Sequence, residues 1–250
     1  MATTTSRNLH DRLALVTGAG QGIGAACAEA LARQGATVIC TDLQGASAAR
    51  TASALGGSAQ SLALDVTDSA ALNSLAARLP PLDILVCNAG IVSNTPAEEM
   101  SDEEWDKVLD VNLGGVFKTC RAFGRRMLER GHGSIVNIGS MSGMIVNVPQ
   151  PQCHYNASKA AVHHLTRSLA VEWAARGVRV NAVAPTYIAT PLLQELEKEP
   201  ALIARWMEMT PQRRMGRPEE IAGIVSFLAS DAASLMTGAI VNADGAYTCI

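Results

Sequence analysis

The chain has no C-x-x-C pair: its 6 cysteines (Cys27, Cys40, Cys87, Cys120, Cys153 and Cys249) are scattered over 250 residues. That spacing disfavours both a zinc site and a redox dithiol, and it leaves most of the thiols as small core residues. Charge is sparse: 17% of residues are charged and the formal net charge is -3. No Lys/Arg cluster supplies the footprint of a nucleic-acid surface, so no nucleic-acid partner is expected. No run is long and apolar enough to span a bilayer, and the polar start MATTTSRNLH lacks the apolar core of a signal peptide. The expectation is a cytoplasmic protein without membrane attachment. No repeat, low-complexity tract or Pro/Gly-rich linker divides the chain, and no carboxylate or histidine cluster compels a metal. A single domain over 1–250 with no metal is expected.

What is present is apolar and periodic. Hydrophobic residues make up 48%, enough for apolar burial to offset folding entropy. Short β-rich runs (RLALVTG, ATVICTD, AQSLALDV, LDILVCNAG, GSIVNIGS, VRVNAVAP and AIVNADG) alternate with helical stretches. The latter include Ile23 to Gln34, Ser69 to Leu79, Asp102 to Arg130, Tyr155 to Arg176 and Pro218 to Ala229. The strand runs are nearly continuous in apolar residues, as in a parallel sheet covered on both faces. Right-handed crossovers then give an α/β, doubly wound Rossmann-type sheet of about seven strands. The segment 190–217 interrupts that rhythm with extra helical pattern, either a substrate lid or a cap on the core.

The first strand runs into TGAGQGIG, where Gly18, Gly22 and Gly24 open a helix with Gln21 and Ile23 between them. Such a turn lets a pyrophosphate approach free N–H groups at the helix N-terminus. Alone it is weak, because glycine clusters also make ordinary turns. Asp42, about twenty residues on at the end of the second strand, adds a carboxylate suited to both ribose hydroxyls and hostile to a 2′-phosphate. NAD is therefore expected over NADP; the competing reading of Asp42 is a solvated cap of the next helix. Asp65, Val66 and Asn88-Ala89-Gly90 end the next two strands at the same edge, placed to flank the adenine and its ribose.

Tyr155 and Lys159 stand four residues apart, on one face of a helix. An unperturbed tyrosine, with a pKa of about 10, is a poor base at neutral pH. A neighbouring ammonium and a positive nicotinamide ring favour the phenolate; a shift of about two to three units needs roughly 3–4 kcal/mol. Tyr155 then takes the proton of an alcohol as hydride leaves its carbon. Ser140 and Ser142 end an upstream strand, each able to donate to the reacting oxygen. Asn112 is an amide within an apolar helical stretch, where it needs a specific partner; a water relaying protons from Lys159 is one.

TGAGQGIG, CNAG, the Asn of VN, NIGSMSG, YNASK, VRVNAVAP and DGAYT occur in an order and at spacings that resemble the short-chain dehydrogenase/reductase superfamily, in its short single-domain branch. The likeness runs from Asp11 to Tyr247. It implies an NAD(P)-dependent oxidoreductase, usually a homotetramer, with a tetrad at Asn112, Ser140, Tyr155 and Lys159. It also implies that Asn88 faces the cofactor, that Lys159 binds the nicotinamide ribose, that Pro185 borders the nicotinamide, and that Ile188 and Thr190 hold its carboxamide. Three positions depart from the pattern: Cys87 replaces the first of two asparagines, and Thr186 replaces a glycine. At the third, the usual gap to the tyrosine selects Ser142, whereas the strand-end motif selects Ser140, the reading favoured here; Ser142 then faces the substrate.

The following loop carries Asn147, Gln150, Gln152 and His154 close to the tyrosine. Neutral amides donate and accept, which suits a substrate with several hydroxyls, and a purely apolar alcohol would leave them unpaired. A polyol, sugar or other secondary alcohol is the expected substrate, as in relatives acting on mannitol, galactitol and xylulose. The alternatives are a 3-oxoacyl-carrier-protein reductase, which generally prefers NADPH, and a non-enzymatic nucleotide-binding scaffold.

Overall fold

A computed structural model of the chain describes residues 8–191 and 199–250. Seven strands form one parallel sheet: β1 (Leu13–Thr17), β2 (Thr37–Asp42), β3 (Gln60–Ala63), β4 (Ile84–Cys87), β5 (Gly133–Ile138), β6 (Val178–Pro185) and β7 (Ile240–Ala243). Their order in space is β3-β2-β1-β4-β5-β6-β7. The direction of travel reverses between β1 and β4, and in open α/β sheets the crevice at such a reversal is where ligands bind.

Successive strand residues point to opposite faces, and here both faces are apolar. Val16, Cys40, Val86, Val136 and Val183 pack with Leu31 of α1 (Gly22–Arg33), Ala48 and Ala52 of α2 (Gly45–Leu55), and Ile221, Val225 and Leu228 from a helix at Pro218–Ala229. Their chain neighbours Leu15, Ile39, Leu85 and Ile135 face the other way. They meet Leu72 of α3 (Ser69–Arg78) and Phe123 and Met127 of α5 (Gly115–Arg130). Leu169 and Trp173 of α6 (Cys153–Trp173) complete that core. At about 1.5–3 kcal/mol for each large side chain fully buried, this double layer explains the unbroken apolar strands. Cys27, Cys40, Cys87 and Cys120 are buried, and Cys153 and Cys249 are exposed.

Two helical expectations are corrected. Asp102 to Arg130 is not one helix: α4 (Asp102–Leu109) passes through a π turn at Asp110–Gly114 before α5 begins. The bulge lies at Asn112, the polar residue that the apolar stretch could not accommodate as an ordinary helical position. The helix α2 was absent from the sequence reading, because Ala, Ser and Thr give GASAARTASAL little apolar stripe to detect. After β6, α7 (Pro200–Met209) and α8 (Pro218–Ala229) follow; part of the segment 190–217, at 192–198, lies outside the described residues.

Candidate active site

The carboxyl ends of β1, β2, β4, β5 and β6 open into a cleft of about 620 Å³, within the range of ligand pockets. Every residue expected to bind cofactor lines it except Gly24. Gly18 and Gly22 adopt φ of +62° and +56°, and a Cβ on Gly18 would sit 2.9 Å from the Ala89 Cα. The first turn of α1 receives no side-chain cap from Gln21, so its N–H groups remain available to an anion. Gly24 lies behind this cradle, where a Cβ would overlap the Gly18 carbonyl oxygen; it serves packing.

Asp42 lines the cleft, yet its carboxylate also accepts the backbone N–H of Gly20 at 3.0 Å and that of Gln44 at 2.9 Å. It faces the ligand space and braces the turns before α1 and α2. Asp65 accepts the Thr67 N–H and hydroxyl at 2.8 and 2.7 Å, shaping the turn after β3. Asn88 lines the cleft as well. Its amide donates to the carbonyls of Thr17 and Gly18 at 3.0 and 2.9 Å, so it fixes the glycine turn.

The reacting end lies on the cleft floor. Ser140 lies beside the Tyr155 phenol, whose ionised form it favours, and donates to Ser142 Oγ at 3.0 Å; both serines line the cleft with the tyrosine. Lys159 Nζ lies 5.6 Å from the Tyr155 ring centroid and donates to the Ile138 carbonyl at 2.9 Å. Burial pushes the Lys159 amine down to about 8. Burial also pushes the Tyr155 phenol up, with Ser140 pulling it partly back. The direction is opposite to the one expected from the lysine alone: the ammonium stands beside the ring in a setting that disfavours either ion. Asn112 does not line the cleft. Its Oδ1 accepts the Ile91 N–H at 2.8 Å, and its Nδ2 donates to the Ile91 carbonyl at 2.9 Å and to Ser158 Oγ at 3.1 Å. Through these bonds the side chain clips the loop after β4 to α6.

The substrate-loop amides reach the cleft, where they bond neighbouring side chains. Asn147 and Gln150 both donate to the Tyr187 hydroxyl, at 3.2 and 3.0 Å, and Gln152 donates to Asn147 Oδ1 at 3.2 Å. Trp206 of α7 donates its indole N–H to Gln150 Oε1 at 3.1 Å and stacks on Tyr187 with centroids 4.0 Å apart. Tyr187 and Trp206 were missed by the sequence reading; the signal was there in Tyr187, flanked by Thr186 and Ile188. His154, in the same stretch, does not line the cleft. Fully buried, its Nε2 pairs with Ser93 Oγ at 2.8 Å, and Ser93 and Thr95 donate to Glu104 at 2.6 and 2.7 Å, away from the cleft. Among the described residues no His, Cys, Asp or Glu cluster could hold a metal ion.

A glycine cradle at the sheet's reversal point, joined to a serine-tyrosine-lysine floor, defines a Rossmann-type oxidoreductase acting on CH–OH groups. A family model described as enoyl-(acyl carrier protein) reductase matches residues 18–248. The galactitol 2-dehydrogenase of Rhizobium johnstonii is 53% identical over 249 residues, covering 96% of each chain. The 3-oxoacyl-[acyl-carrier-protein] reductase of Escherichia coli is 40% identical, covering 95% of this chain and 98% of its own. A crystal structure of a gluconate 5-dehydrogenase from Burkholderia cenocepacia, in complex with NADP and tartrate, superposes with a TM-score of 0.92 at 34% identity and 98% coverage of both. The chain belongs to the short-chain dehydrogenase/reductase family.

Proposed function

We propose that the chain is a polyol or sugar dehydrogenase that uses NAD, with Tyr155 as general base. The observation that carries this reading is the grouping of Ser140, Tyr155 and Lys159 at the end of a cleft whose other end is edged by Asp42. Gly18, Gln21, Gly22 and Ile23 would hold the pyrophosphate, Asp42 the adenosine ribose, and Pro185, Ile188 and Thr190 the nicotinamide side. Bound there, NAD supplies a hydride acceptor. Ser140 donates to the alcohol oxygen, Tyr155 takes its proton, and Lys159 favours the phenolate once a second positive charge offsets burial. The amides keep unused donors and lone pairs beyond their mutual bonds, and these, with Ser142, suit further hydroxyls. Within the segment 190–217, α7 acts as a lid through Trp206, which already joins the substrate loop.

The second reading, a carrier-protein reductase using NADPH, is favoured by the 40% identity to the Escherichia coli enzyme. The two separate in one assay: absorbance at 340 nm with polyols, simple secondary alcohols and hydroxyacyl thioesters, each offered NAD⁺ and NADP⁺. Turnover of a polyol with NAD⁺ is expected; turnover confined to thioesters with NADP⁺ overturns the assignment. We also read the exposed Phe117 and Val171, on α5 and α6, as part of a homotetramer contact in a cytoplasmic enzyme; a monomer in sedimentation would refute that.

A further inference from the structure

We propose that His163 is a positioning residue, around whose ring the turn that carries Ser140 is wrapped. The inference rests on the catalytic reading of Ser140 and Tyr155. His163 lies eight residues after Tyr155 and four after Lys159, so α6 presents all three on one face. Its side chain is buried, at 2% exposure, although no role in cofactor or alcohol binding requires it.

The turn Gly139-Ser140-Met141-Ser142-Gly143 closes on the imidazole from two sides. A Cβ on Gly139 would overlap Nε2, and one on Gly143 would fall 2.6 Å from Cε1 and 2.7 Å from Nδ1. Both flanking residues must therefore be glycine for as long as a ring occupies this place. Between them the Ser140 N–H donates to His163 Nε2 at 3.5 Å. That bond is long, so the packed ring holds the turn and the bond sets its orientation. Other ties are the Gly139 N–H to the Val183 carbonyl at 2.8 Å and, within the turn itself, the Gly143 N–H to the Ser140 carbonyl at 3.0 Å, the Ser142 N–H to Ser140 Oγ at 3.1 Å and the Met144 N–H to the Met141 carbonyl at 2.8 Å. An accepting Nε2 requires the proton on Nδ1, hence a neutral imidazole. Burial, with Lys159 and Arg167 as like-charged neighbours, pushes its pKa down to about 4 and keeps it in that form.

Ser140 is thus fixed through its backbone by α6, the helix that also fixes Tyr155 and Lys159. Without the ring the serine keeps its place in the sequence but loses the distance to the phenol that lets its hydroxyl stabilise the phenolate. A filler with no positioning role predicts lost stability alone; a positioning residue predicts a tyrosine that titrates higher.

The test uses the full chain and five proteins: wild type, Ser140→Ala, Tyr155→Phe, His163→Ala and His163→Gln, whose Oε1 can reach the Nε2 position. The chain has 3 tyrosines, so ultraviolet difference titration resolves the Tyr155 phenol as the component missing from Tyr155→Phe, without any turnover. In His163→Ala that component moves to higher pH, as in Ser140→Ala, and His163→Gln returns it toward wild type. With the best alcohol of the panel, kcat falls at least tenfold while KM for NAD⁺ stays within twofold, and the base-dependent limb of the pH profile moves up. An unmoved Tyr155 component in folded His163→Ala overturns the proposal, as does a lowered kcat with an unmoved limb. If His163→Ala does not fold, Gly143→Ala, which forces the ring and turn apart, replaces it with the same two outcomes. Full activity in Tyr155→Phe would instead sink the catalytic reading, while the titration would still judge His163.

Discussion

The two ends of the cleft are built on different principles. At the nucleotide end the groups facing the ligand space are mostly backbone: the glycine turn, the uncapped start of α1 and the strand ends, with Asn88 holding them from behind. At the alcohol end they are side chains bonded to one another, Gln152 to Asn147 to Tyr187 to Gln150 to Trp206. The first recognises what every nicotinamide dinucleotide shares and is sensitive to any added atom. The second is a linked set in which one changed member disturbs several, which is how a site distinguishes one polyhydroxyl compound from another.

The largest test of this contrast lies where the two ends meet. Tyr155→Phe removes the base and is expected to lower kcat by about 10²–10⁴-fold while leaving NADH affinity, read by fluorescence titration, nearly unchanged. At the nucleotide end, Gly24→Ala drives a methyl group into the Gly18 carbonyl and should cost about 1–3 kcal/mol of stability in urea unfolding, with cofactor affinity weakened as well. At the alcohol end, Tyr187→Phe deprives the Asn147 and Gln150 N–H groups of their acceptor, a loss of about 1–3 kcal/mol. It should appear in KM for the alcohol and leave KM for NAD⁺ alone; equal change in both would break the contrast. Asp42→Ala is expected to relax the preference for NAD over NADP by about tenfold, the worth of a charge-assisted hydrogen bond.

The smallest effect concerns pH. The His163 pKa is about 4 in the folded chain against an ordinary 6.5, so as pH falls from 6.5 the unfolded chain takes up the proton first and stability is lost progressively down to pH 4. Thermal unfolding at pH 7 and pH 5 should differ less in His163→Gln than in wild type, by on the order of 1 kcal/mol after solvent screening.

Legibility in the sequence followed the same division. The sheet was readable because parallel strands buried on both faces leave unbroken apolar runs, and the nucleotide end was readable because close backbone approach demands glycine at fixed spacing. Tyr155 and Lys159 were readable because a helix translates a gap of four into adjacency. The bonding among Asn147, Gln150, Tyr187 and Trp206 was not, since it joins residues up to 59 apart between Asn147 and Trp206 and no local spacing encodes it. Asn112 and Asn88 stood out in the sequence while the groups they bond did not, for the same reason: an amide out of place shows that a partner exists, and only the fold says which one. The pairing of Gly139 and Gly143 with His163 likewise links two short motifs that look independent along the chain.

The π turn at Asp110–Gly114 means that the path from α4 to α5 contains one residue more than a regular helix would need. The five residues of the wider π turn cover about the angle that four residues cover in an α-helix, so deleting a single residue there would let the helix run straight and leave the residues after it in nearly the same phase. Phe123 and Met127 would keep their places in the core, while the Asn112 clip on Ile91 would be lost. The one-residue excess thus serves the active-site loop rather than the sheet's covering helix, and a deletion here is expected to cost activity before it costs stability.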